Sequence, residues 1–338
     1  MGWWKQLFIT RAKDWIFEEL EPTQVPPEEA FDKVSIPEDK AYFTITLRSM
    51  RIVNVRKLTT KFYGMVHSFS TLPHMSGEDA AFHFVIAPTE LRRIDPQNLD
   101  RVVQVNKPLL GPIPYRGGCL GFELGLFSVK ETDLAAPFID VLETIASKAG
   151  VSFVSAAIPF IEPLKKGIDA LTGASDGSIL EIGVSAGMTP PKTGWYVVMR
   201  AQKGTVNVSD LLVTQPDYRL VSRTTGQLVQ NYPYMVFCIS ASIQRSDWFR
   251  LPDLQKPYQK LREAVESQDY QEAQDLLTTF RRIALWSPDL ITQDARRLAN
   301  LISEKVREAL QPTLTSRVPE ALKPTLPALE DLNLYDMT

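Results

Sequence analysis

One pattern, apolar-Glu-apolar-Gly-apolar, occurs twice in this chain and constrains its fold more than any other feature. It is Phe122-Glu123-Leu124-Gly125-Leu126 within GGCLGFELGLFSV (residues 117–129), and Leu180-Glu181-Ile182-Gly183-Val184 within SILEIGVSAG (residues 178–187). In a strand, alternation puts Leu120, Phe122, Leu124 and Leu126 on one face and Cys119, Gly121, Glu123 and Gly125 on the other. A strand with one large apolar face and one glycine face is suited to close packing, because glycine lets another backbone approach. These two strands are expected to carry the segment between them, which would rest on a flat patch formed by Gly125 and Gly183.

Period-two patterning starts earlier. Phe43, Ile45 and Leu47 alternate with Thr44, Thr46 and Arg48. Further strands are expected at 51–56, 61–71, 81–87, 101–106, 195–201, 219–222 and 234–243, separated by turn signals at Pro73, Ser76-Gly77, Asp95-Pro96 and the prolines from Pro108 to Pro114. YMVFCI at 234–239 is continuously apolar, as in a strand buried on both sides. The expected fold class is α+β. Residues 41–250 are expected to form an antiparallel β-sandwich, with C2-like or immunoglobulin-like sandwiches as the nearest analogies.

A helical insertion is expected at 132–173. Thr132 or Asp133 can cap it, and Leu134, Phe138, Val141, Leu142 and Ile145 form its stripe, followed by an apolar run at 149–161. Residues 251–310 read as a three-helix bundle. Its stripes are Tyr258, Leu261, Ala264 and Val265; then Tyr270, Ala273, Leu276, Leu277, Phe280, Ile283 and Ala284; then Ile291, Ala295, Leu298, Ile302, Val306 and Leu310. Asp269 opens the second helix, and Pro257 is placed in the first turn of the first. Residues 1–40 read as a Trp-rich helix with a Pro-rich linker. Residues 311–338 read as an extended Pro/Leu tail, either a strap over the protein's own surface or a linear motif for another chain.

Composition limits function. The 338 residues are 44% hydrophobic and 23% charged, with a net charge of −3. That is globular, and it argues against nucleic acid, which needs a basic face. The two cysteines, Cys119 and Cys238, lie in apolar runs and are expected to be buried and reduced. The N-terminus shows no signal-peptide layout, and no apolar run reaches the roughly 18 residues of a membrane span, so a cytoplasmic location is expected.

Candidate chemistry is sparse. Gly183-Val184-Ser185-Ala186-Gly187 matches G-x-S-x-G, but that motif needs a helix after the serine. Met188-Thr189-Pro190-Pro191 follows instead, and no histidine comes after His83. His67, His74 and His83 cluster in sequence, and a hairpin would make His67 and His83 cross-strand neighbours with His74 in the loop. Their spacing matches no metal motif. Neither cysteine sits in an evidently electropositive setting that would activate it. Phosphate-binding glycine loops are missing, and Asp79, Asp95, Asp100, Asp210 and Asp217 are too scattered for a calcium site. The expectation is a non-catalytic adaptor or regulatory subunit of a cytoplasmic complex or homo-oligomer, with no cofactor and no metal. Partner contacts are expected at Trp3, Trp4, Phe8 and Trp15 and at Leu314, Leu326, Leu329 and Leu334. The alternatives are peripheral membrane association through residues 1–20 or 149–161, and hydrolysis by Ser185.

Overall fold

A computed structural model describes residues 15–53, 56–57, 60–73, 79–86, 102–130, 178–202 and 204–310. Among the described residues the fold is α+β, with antiparallel sheets and three α-helices. It divides into two compact units: residues 15–38 with 43–241, and residues 39–42 with 242–310.

The first unit contains both repeated strands. β7 (Leu120–Lys130) and β8 (Ser178–Met188) are antiparallel neighbours, and Gly125 lies opposite Gly183. Leu120, Phe122, Leu124 and Leu126 are all fully buried, as alternation requires. β7 also pairs with β4 (Thr60–Pro73), whose other edge carries β3 (Arg56–Lys57) and β5 (Asp79–Ile86). The register slips between Leu126 and Phe127, which leaves Glu181 as an extra residue in β8. Such a bulge re-aims a side chain. Glu181 is accordingly buried, and its Oε1 accepts from Ser128 Oγ at 2.5 Å. Residues 131–177 lie outside the described residues, and with them the helical insertion expected at 132–173 and its apolar run at 149–161.

The other large sheet has the order β1 (Trp15–Leu20), β9 (Gly194–Arg200), β12 (Tyr234–Ser242), β2 (Tyr42–Arg51), β6 (Val102–Pro114). Phe43, Ile45 and Leu47 of β2 are fully buried, while Thr44, Thr46 and Arg48 are half-buried. Residues 234–239 of β12 are buried without a break, so that strand is covered on both faces. On one face Trp195, Val197, Met199, Tyr234, Val236 and Cys238 share a core with Leu20, Val25 and the hairpin of β10 (Leu211–Thr214) and β11 (Arg219–Ser222). On the other, Tyr196 stacks on Phe237 at 5.3 Å, and Phe237 meets Phe122 of β7 at 5.6 Å.

Three local expectations need correction here. The N-terminal helix does not extend through residue 20: Trp15–Leu20 is a strand, with Trp15 opposite Arg200 and Leu20 opposite Trp195. Trp15, Ile16 and Phe17 favour strands, and pairing with the edge of β9 outweighs the helical spacing. Residues 1–14, including Trp3, Trp4 and Phe8, lie outside the described residues. The prolines from Pro108 to Pro114 do not mark a turn either, because β6 runs through them. β6 is an edge strand, where a residue without an N–H interrupts no ladder. Within it Gly111 has φ +94°, and a Cβ there would strike the Phe43 carbonyl oxygen, so only glycine fits. Finally, Pro257 lies inside the first helix, which begins five residues earlier at Pro252.

The second unit holds α1 (Pro252–Glu266), α2 (Tyr270–Trp286) and α3 (Thr292–Leu310). The expected stripes are buried, except that in α2 Leu276 and Ile283 are half-buried and Tyr270, at its start, is 51% exposed. Asp269 caps α2, its Oδ1 accepting from the Glu272 N–H at 3.0 Å. Trp248 packs edge-on against Tyr258 at 5.2 Å and Phe280 at 6.1 Å. Burial pushes the Tyr258 hydroxyl up to about 12. Beside this apolar core lies a buried polar network. The Asp294 carboxylate accepts from Tyr42 Oη at 2.8 Å, the Arg245 N–H at 2.9 Å and Arg297 Nε at 2.8 Å. Tyr42 Oη in turn accepts from the Ile291 N–H at 3.0 Å. The Arg245 guanidinium is fully buried and pairs with Asp247 at 2.7 Å. Residues 311–338 lie outside the described residues, with Leu314, Leu326, Leu329 and Leu334 among them. No helix among the described residues is long and apolar enough to cross a membrane.

Candidate functional site

The G-x-S-x-G motif lies inside β8, and Ser185 sits opposite Glu123 with the strand continuing to Met188. A nucleophile elbow requires a sharp strand-to-helix turn at the serine, which an extended strand does not provide. β4 and β5 do form the expected hairpin, but His67 lies opposite Val85 and His83 opposite Phe69. The two positions are two residues out of register, and His74 lies outside the described residues. Among the described residues, no group of three His, Cys, Asp or Glu side chains could hold a metal ion.

The cysteines differ from the expectation in two ways. Both are free, but only Cys238 is buried; Cys119 precedes β7 and is exposed. A cation also stands beside Cys238, with Arg48 Nε donating to its Sγ at 3.3 Å. Burial nonetheless raises the Cys238 pKa, and Arg48 offsets this only in part. The thiol therefore stays protonated at neutral pH, and this geometry does not make a nucleophile. Ellman's titration of the native protein is expected to find one reactive thiol, Cys119, and two after unfolding. Two in the native state would contradict the burial of Cys238.

Arg48 belongs to a polar cluster with no local sequence signal. Its guanidinium lies 5.1 Å from the Trp195 ring and 5.4 Å from the Tyr218 ring, a double cation–π contact. Arg48 Nη2 also pairs with Glu29 at 3.2 Å, Tyr218 Oη donates to the other Glu29 oxygen at 2.5 Å, and Trp195 Nε1 donates to the Glu29 carbonyl at 3.1 Å. The members come from residues 29, 48, 195 and 218, so only the fold brings them together. Its members pair mainly with one another, although Glu29 Oε2 is buried with the Arg48 ion pair as its contact and no hydrogen bond. It fastens the segment around Glu29 to the sheet.

An open polar pocket of about 250 Å³ lies beside the β10–β11 hairpin, lined by Thr205, Asn207, Asp210, Gln227, Asn231 and Tyr232 among others. Its carboxylate is already committed. Asp210 accepts from Ser222 Oγ at 2.6 Å and from the Thr224 hydroxyl at 2.6 Å and N–H at 2.9 Å. These bonds, that from Ser222 first, hold its pKa below the usual carboxylate range.

The most exposed large hydrophobic side chain among the described residues is on α2. Ala273, Leu277, Phe280 and Ala284 point inward at three- and four-residue spacing. That phase turns Arg281, Arg282 and Leu285 outward, and Trp286 ends the helix. Leu285 is 47% exposed and Trp286 is 81% exposed. Neither Arg281 nor Arg282 has an ion-pair partner among the described residues. A large aromatic left in water beside two unpaired guanidinium groups has the composition of an interface anchor, since tryptophan and arginine dominate hot spots. The signal was present in the sequence: Trp286 falls two residues beyond Ala284 and so off the apolar stripe, just ahead of Ser287-Pro288. No protein family matches this chain, and neither does any curated protein or solved structure.

Proposed function

We propose that this chain is a non-catalytic docking subunit that presents the Arg281–Trp286 face of α2 to another protein chain. The observation that supports this most is the exposure of Trp286. Covering a tryptophan removes roughly 150–250 Å² of surface from water, worth about 4–6 kcal/mol as an upper figure before the costs of association. A monomer gains nothing by leaving that surface bare. The hydrogen bonds that already commit Asp210 support a role other than chemistry. The β-strand unit serves as scaffold in this reading, and we propose a sandwich of the C2-like or immunoglobulin-like kind. The support is the Phe122–Phe237 contact between strands of the two large sheets. A cytoplasmic setting and additional partner contacts through the N-terminal and C-terminal segments belong to the same proposal.

The test is the native mass of the full chain recovered from its own source at low expression. A complex of fixed stoichiometry, heavier than the 38.1 kDa chain, is expected. A monomer alone, over a range of salt and concentration, would overturn the reading.

A further inference from the structure

We infer that the α2 face binds an acidic, leucine-rich segment, and that residues 326–336 of this same chain are that segment. The inference rests on the docking role proposed for α2 and names its occupant. The face offers Leu285 and Trp286 as apolar anchors, with Arg281 and Arg282 one turn away and unpaired among the described residues. A complementary ligand needs apolar side chains interleaved with carboxylates, and no cation where the two arginines lie. Residues 326–336 read Leu-Pro-Ala-Leu-Glu-Asp-Leu-Asn-Leu-Tyr-Asp. They supply Leu326, Leu329, Leu332 and Leu334 with Glu330, Asp331 and Asp336, and no lysine or arginine. After Lys323 the sequence carries no further basic residue.

The reach suffices. Leu310 ends α3, whose 19 residues extend about 28 Å, and α3 follows α2 after the short connection 287–291. The 16 residues from 311 to 326 can span up to about 50 Å when extended. A tethered segment also acts at an effective concentration near the millimolar range, so weak individual contacts are enough to keep the face covered. A partner that docks on α2 then has to displace this segment or resemble it.

The test is a disulfide trap in the full chain with Cys119→Ser. Leu285→Cys is paired with Leu332→Cys, and the control pair is Gln271→Cys with Leu332→Cys. Gln271 is exposed on the same helix, about 21 Å from Leu285. Under mild oxidation the first pair is expected to close within the monomer about tenfold more than the control, because both pairs share the tether and only docking at Leu285 favours the first. Arg281→Glu with Arg282→Glu should abolish that preference, and adding Glu330→Arg with Asp331→Arg should restore it. Closure equal to the control would overturn the inference. Disulfide-linked dimers without a monomeric product would also overturn it and would make the face an interface between copies. Either failure leaves the docking role itself standing if Trp286→Ala still releases a bound partner chain.

Discussion

Asp294→Ala is expected to lower the stability of the helical unit by about 3–5 kcal/mol, the usual result of removing one member of a buried charged network. Asp294 is 2% exposed and receives hydrogen bonds from Tyr42, the Arg245 backbone and Arg297. Its loss strands the Tyr42 hydroxyl and leaves the Arg297 guanidinium without its partner. Hydrogen exchange across residues 291–302 reads this directly, as lost protection in α3, and does so even if the two units unfold separately. A substitution at the exposed Glu304 on the same helix serves as the control, expected within about 0.5 kcal/mol of the parent protein. Unchanged protection in Asp294→Ala would show that the network contributes little.

The same network has a pH signature. Burial, and then the neighbouring Asp294 charge, raise the Tyr42 pKa well above its ordinary value of 10.0, with Arg245 opposing. The protonated hydroxyl is thus favoured in the folded state. Its contribution is complete below pH 10 and is lost as pH rises beyond it. Over that alkaline range Tyr42→Phe should remove one group's share of the slope, about 1.4 kcal/mol per pH unit, measured by urea unfolding at fixed ionic strength.

The second large effect concerns the strand unit. Phe122→Ala is expected to cost about 3–5 kcal/mol, from the lost transfer of the ring and the cavity left against Phe237. Both rings are fully buried, and Phe237 is also stacked on Tyr196 and Phe17. The cavity therefore opens in the middle of an aromatic cluster that cannot collapse without moving several strands. Phe122→Leu should cost clearly less. Equal effects from Ala and Leu would mean that ring stacking, not filled volume, holds the two sheets here.

Much of this architecture is legible in the residues. The alternation around Phe122 and Leu124 fixes a buried face without any knowledge of partners, and the uninterrupted 234–239 run marks a strand covered on both sides. The stripes ending at Val265, Ala284 and Leu310 are helical by spacing alone. What misleads is where tertiary pairing overrides a local signal. Trp15–Leu20 carries a helical spacing but joins the edge of β9. Pro108, Pro112 and Pro114 look like a turn, yet they lie on an edge that tolerates missing donors. Glu181 is buried because of a bulge that no local pattern announces. The Arg48 cluster was illegible because its members are up to 189 residues apart in sequence. The α2 face lies between these cases. Trp286 stands off the apolar phase of its own helix, and that is visible once the phase is set by Phe280 and Ala284.

The proposed docking role requires that Trp286 serve binding and not folding. The most direct measurement compares Trp286→Ala with the parent protein in melting temperature and in recovery of its native complex. The prediction is a melting temperature unchanged within about 2 °C, as for a surface substitution outside the core, together with loss of the stoichiometric partner. Retention of that partner at parental stoichiometry, or a large fall in melting temperature, would contradict it.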